Sequence, residues 1–172
     1  MTWDESFLVT LGRIGWMLLG VLTLLLLSAF PFEFAHLGAV RPAFMLMAVY
    51  YWTILRSPAP PAPAVFIVGL LLDFIAAYPL GMNALVLVAV QWSIKAQRKF
   101  LLGQSFAVIW AGFFLVALAA GGVEWLLFSL FNLALVPLQP VLLSIILSTL
   151  LFPVMAWPLS ALHRATTERP EA

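Results

Sequence analysis

Apolar residues fill the chain in long blocks, and the sparse prolines, charges and small turn residues between them mark where each block ends. A membrane-crossing helix needs about 20 apolar residues for about 30 Å of hydrocarbon. Against that length the pattern predicts six helices, over 14–31, 42–56, 64–78, 81–94, 105–122 with an extension to 136, and 138–162, followed by a short polar tail over 163–172. The first ends where Pro31 and Glu33 interrupt it. The second is short and opens at Pro42, whose missing N–H has no intrahelical partner in a first turn. The proline-rich run from Ser57 to Pro63 reads as an extended, polyproline-like connection. Pro79-Leu80-Gly81 makes an uncharged turn into the fourth helix, and Lys95, Arg98 and Lys99 form a basic loop after it.

The block from Ser105 to Val136 is awkward. About 32 residues make a helix of about 48 Å, longer than one span needs and too short for two spans and a turn. Gly121-Gly122 is the expected break, with 123–136 a tilted or interfacial continuation in which Glu124 and Asn132 share one face. Pro137 and Pro140 start the sixth helix, and Pro153 and Pro158 kink it.

Composition fixes the class. In 172 residues, 65% are hydrophobic and 9% charged, too lopsided for a soluble core and a solvated surface. The chain reads as one all-α integral membrane domain, a six-helix transmembrane bundle, with no soluble domain appended. Asp4 and Glu5 spoil the basic leader of a secretory signal, so the first helix is read as retained. Cysteine is absent, which removes disulfides and thiolate chemistry. A formal net charge of +1 and no long basic run leave nucleic acid nothing to grip. Lys and Arg in short loops resist translocation. Six spans collect Arg13, Arg56, Lys95, Arg98, Lys99, Arg164 and Arg169 on one side and leave only Arg41 on the other, so both termini are expected in the cytoplasm.

Catalytic constellations are missing. His36 and His163 lie in a loop and the tail, and no zinc-type helix, paired intramembrane acids or nucleophile turn is present. No cofactor or metal is expected. Ser144 and Ser148, one turn apart, read as packing and local hydrogen bonding. The Trp and Tyr residues near the expected helix ends read as an interfacial belt.

Asp73 is the informative exception. A carboxylate in the middle of an apolar helix costs several kcal/mol unless it has a partner or a task. It reads as a structural carboxylate in preference to a transport or relay group, and Arg41, at the start of the second helix on the same outer side, is its expected partner. Gly69, one turn before Asp73, with Ala76 and Ala77 beyond, gives that helix a small face for close packing.

Arg41-Pro42 opening a helix, Tyr51-Trp52, the proline-rich turn, Gly69-Leu-Leu-Leu-Asp73, Pro79-Leu-Gly81 with Asn83-Ala84, and a basic loop followed by Gln104 together resemble the bacterial rod shape-determining MreD family. The specific part spans Arg41 to Gln104. The resemblance implies a non-enzymatic inner-membrane scaffold of the cell-elongation, peptidoglycan-synthesising machinery. It would bind the bitopic scaffold MreC and through it be linked to MreB filaments and to RodA with its transpeptidase partner. It also implies a fold similar to the substrate-binding subunits of energy-coupling-factor transporters. That gives the alternative, a small-molecule-binding subunit of a vitamin-type transporter, for which Asp73, Arg41, Asn83, Glu124 and Asn132 are the polar candidates.

Overall fold

The computed structural model describes residues 19–28, 32–34, 38–55 and 59–167, with backbone alone for 32–34, 38–40 and 160–167. Among the described residues six helices follow one another: α1 (Leu19–Ser28), α2 (Phe44–Leu55), α3 (Ala62–Ala76), α4 (Met82–Leu101), α5 (Phe106–Phe131) and α6 (Gln139–Thr167). A small antiparallel ribbon lies between α1 and α2, with β1 (Phe32–Phe34) paired to β2 (Gly38–Val40) in the register Phe32 to Val40. The sequence reading did not include this ribbon. Among the described residues, only α5 and the Gln139–Leu159 part of α6 are long and apolar enough to cross a membrane by length and composition.

α2 is the centre of the bundle. Its residues from Phe44 to Ile54 are all buried, apolar on every side, as befits a helix surrounded by others. It packs against α4, α5 and α6. Tyr50 meets Phe113 and Phe152 edge to face at 5.4 and 5.8 Å between ring centres, while Phe113 and Phe152 stack at 4.4 Å. The Tyr50 hydroxyl, which needs a partner once buried, donates to the Ile109 carbonyl at 2.9 Å.

The first turn of any helix leaves N–H groups without intrahelical acceptors, and a membrane interior supplies no water for them. For α2 two serines from distant helices fill the role. The Ala43 N–H donates to Ser148 Oγ of α6 at 2.8 Å, and the Met45 N–H to Ser28 Oγ of α1 at 2.9 Å. Ser144 in turn donates to the Arg41 carbonyl. The pair Ser144 and Ser148 therefore closes the start of α2.

Several boundaries move. α2 begins at Phe44, two residues after Pro42, and α3 already begins at Ala62, with Pro63 inside its first turn, where proline fits. α4 runs on to Leu101, so Lys95, Arg98 and Lys99 sit on helix and not in a loop. Cations suit a helix C-terminus, and two of these reach back to cap neighbours: Arg98 Nε donates to the Ile54 carbonyl at 2.9 Å and Lys95 Nζ to the Pro60 carbonyl at 3.1 Å. Gln91 Nε2 also donates to Pro60, at 2.7 Å.

α5 continues unbroken through Gly121-Gly122 to Phe131. A break at membrane depth would strand backbone groups, and Gly121 serves packing: a Cβ there would lie 2.9 Å from Ile145 Cδ1 of α6. α6 likewise absorbs Pro153 and Pro158. Pro153 has no N–H to give the Thr149 carbonyl one turn earlier, and the Trp110 indole of α5 supplies the missing donor at 2.7 Å.

The two ends of the bundle carry different charge. Arg41 stands beside the α3–α4 and α5–α6 turns, whereas Lys95, Arg98 and Lys99 lie at the far end with Ile54 and Pro60. Arg13, Arg56, Arg169 and His36 lie outside the described residues, as do the side chains of His163 and Arg164.

Candidate functional site

Asp73 is fully buried, and its partners come from the next helix. Its Oδ2 accepts the Gly81 N–H at 2.9 Å, and its Oδ1 accepts both the Asn83 N–H at 3.0 Å and the Asn83 side-chain amide at 2.8 Å. Gly81 and Asn83 open α4, where partial positive charge gathers and N–H groups lack acceptors. The backbone of Asp73 works the other way: its carbonyl accepts the Ala77 and Tyr78 N–H groups that close α3. One residue thus terminates α3 and initiates α4.

The turn between them requires backbone conformations that most residues resist. Ala77 is left-handed at φ 55° and Gly81 stands at φ 94°. Gly81 suits the second because it lacks a Cβ. Gly69, one turn before Asp73, is where α3 and α4 touch backbone to backbone: a Cβ there would sit 2.4 Å from the Ala84 Cα and 2.8 Å from its nitrogen. Gly69, Asp73, Pro79, Gly81 and Asn83 therefore belong to one helix–turn–helix unit. The Pro79 carbonyl joins it by accepting the Met82 N–H at 3.2 Å.

Arg41 is not the partner of Asp73. Its Nη1 donates to the Ala76 carbonyl at 2.9 Å, and its guanidinium lies over the Tyr78 ring, 5.1 Å from the centroid. The expectation of a charge pair overlooked that backbone N–H groups and a side-chain amide can satisfy a carboxylate without a cation. The Asn83 position, two residues after the turn glycine, was the signal available for that solution.

Arg41 and Tyr78 instead line a cavity of about 210 Å³ at this end of the bundle, together with Met82, Glu124, Trp125, Phe128, Ser144 and Ser148. Its rim is the α5–α6 turn, held back onto α5 by the Trp125 indole donating to the Val136 carbonyl at 2.9 Å. Glu124 faces this cavity half-buried and, among the described residues, has no hydrogen-bonding or ionic partner. Asn132 does not join it. It ends α5, spends its amide on the Phe128 carbonyl at 2.7 Å and stays exposed. Among the described residues no group of three or more His, Asp or Glu is arranged to hold a metal.

A second cavity, of about 280 Å³, lies between α1, α2 and the start of α3. Its walls are apolar, formed by Val21, Val49, Trp52, Ala64 and Val68. A family model described as rod shape-determining protein MreD matches residues 10–160. No curated protein and no solved structure matches the chain.

Proposed function

Because the chain belongs to the rod shape-determining protein MreD family, we propose that it serves bacterial cell elongation as a non-enzymatic inner-membrane scaffold that holds a bitopic, MreC-like partner. Family membership itself carries a role in rod-shape determination. In this reading the chain crosses the membrane six times with both termini cytoplasmic, and the partner connects it to MreB filaments, RodA and the associated transpeptidase.

The observation that carries the reading is the saturation of Asp73. An interior carboxylate is the group a transporter or proton relay would use, and here both oxygens are spent on the first turn of α4. A residue so bound is a fastening of the α3–α4 unit.

Helices gain nothing from hydrophobicity alone when they associate in lipid, so a single-span partner must be held by close packing and contacts outside the bilayer. The apolar cavity beside α1, α2 and α3 offers such packing, and we assign the partner helix to it. The test is capture of the tagged chain from native membranes. Wild type should retain a stoichiometric single-span protein, and Ala64→Trp with Val68→Trp should release it while the purified variant keeps its melting temperature. Cells carrying that variant should round up. Recovery of folded wild-type chain with no single-span protein attached would overturn the scaffold reading.

A further inference from the structure

We propose that the cavity at the Arg41 end is a binding site for a zwitterion, a molecule that carries an ammonium beside an anionic oxygen group. The argument is one of unspent polar groups. Glu124 lines the cavity with no partner among the described residues, in a bundle whose other interior carboxylate is fully satisfied. A carboxylate left so is costly at membrane depth and calls for a cation or strong donor. Arg41 lines the same cavity, and its guanidinium gives one donor to Ala76 while its face rests on Tyr78. The remaining donors suit an anionic oxygen group. No ion pair joins Arg41 to Glu124, so the two charges are answered separately.

Ser144 and Ser148 are already occupied at the start of α2, which leaves recognition to the two charged residues. Size narrows the occupant further. A volume of about 210 Å³ takes a headgroup-sized molecule, and none of the residues around it belongs to the apolar cavity beside α1, α2 and α3. The site is therefore independent of the partner helix assigned above. Apolar walls from Leu46, Met82, Ala117 and Ile145 would accept methylene groups next to the charges.

Two sources share this chemistry, an aminophospholipid headgroup and a free solute such as phosphoethanolamine. The full chain, purified and delipidated in detergent, would be titrated with phosphatidylethanolamine and with phosphatidylglycerol, which has no ammonium, and followed by melting temperature and native mass spectrometry. Phosphatidylethanolamine should give a saturable rise and a one-to-one adduct, with phosphatidylglycerol about tenfold weaker or more. Glu124→Gln should erase that preference, and Val141→Trp, which fills the cavity from α6, should remove saturable binding. Competition by phosphoethanolamine identifies a solute site; binding of the lipid without such competition identifies a lipid site. Equal response of the wild type to both lipids, no saturable response to any probe, a preference that survives Glu124→Gln, or undiminished binding in Val141→Trp each overturns the proposal.

Discussion

The Trp110 indole N–H donates to the Thr149 carbonyl at 2.7 Å, taking the place of the helical donor that Pro153 lacks. A side chain of α5 thus makes good a gap in the hydrogen bonding of α6. Trp110→Phe keeps most of the ring and removes the donor, so it should destabilise the chain by about 1 kcal/mol. In a Pro153→Ala background residue 153 regains its N–H, and the same substitution should cost little. A double-mutant cycle of unfolding in detergent reads the coupling, and equal losses in both backgrounds would argue against it.

Asp73→Ala should destabilise by about 2–4 kcal/mol, because it uncaps α4 in a place water does not reach. The cycle of Asp73→Ala with Asn83→Ala should show coupling of about 1 kcal/mol or more. The cycle with Arg41→Ala should show distinctly less, since Arg41 bonds Ala76. A stronger coupling to Arg41 than to Asn83 would restore the charge-pair view.

Thr53 points the opposite way. Its hydroxyl is fully buried in α2 and, among the described residues, has no hydrogen-bond partner. Thr53→Val preserves shape and discards the stranded group, so it should raise stability by about 1 kcal/mol. Thermal denaturation of the single variant is enough to check the sign.

At Gly69 even a methyl group has nowhere to go, since the obstacle is the Ala84 backbone. Gly69→Ala should cost about 1–3 kcal/mol by forcing α3 and α4 apart. Gly122→Ala, in the neighbouring long helix, meets nothing within 4 Å and should be neutral or mildly stabilising. Melting temperatures that rank the two the other way would contradict the packing described.

Topology is open to labelling because the chain has no cysteine of its own. A cysteine at Leu133, exposed in the α5–α6 turn, should react with an impermeant maleimide in intact spheroplasts. One at Gln97, near the basic end of α4, should react only after permeabilisation. Reaction of Gln97→Cys in intact spheroplasts would invert the proposed orientation.

Much of the helical order was legible because apolar blocks and prolines are strong punctuation, and Asp73 stood out because charge is rare in such blocks. Its partner was not legible by charge arithmetic. A carboxylate at a helix start is answered by backbone dipoles, which leave no mark in composition. The Gly121-Gly122 pair misled for a related reason: in water two glycines loosen a helix, but in lipid the backbone cannot release its hydrogen bonds, and Gly121 becomes a place for Ile145. The basic residues after Ile94 looked like a loop until their targets, the Ile54 and Pro60 carbonyls, were in view. The ribbon before α2 carries no alternation long enough to announce itself.

The closure of α2 by Ser148 has a consequence for how the protein is made. α2 has 12 residues, about 18 Å of helix, well short of the hydrocarbon thickness, and one of its first amide groups is satisfied by a residue synthesised 105 positions later. While the chain is still emerging, this segment is therefore a poor lodger in lipid, with the Ala43 amide at its start unsealed until α6 arrives. The nascent protein must keep its second helix sheltered, against α1, its own early neighbours or the insertion machinery, through most of translation. Truncation before Ser148 thus takes one of the two serine acceptors from the start of α2, so its effect reaches the centre of the bundle and is not confined to α6.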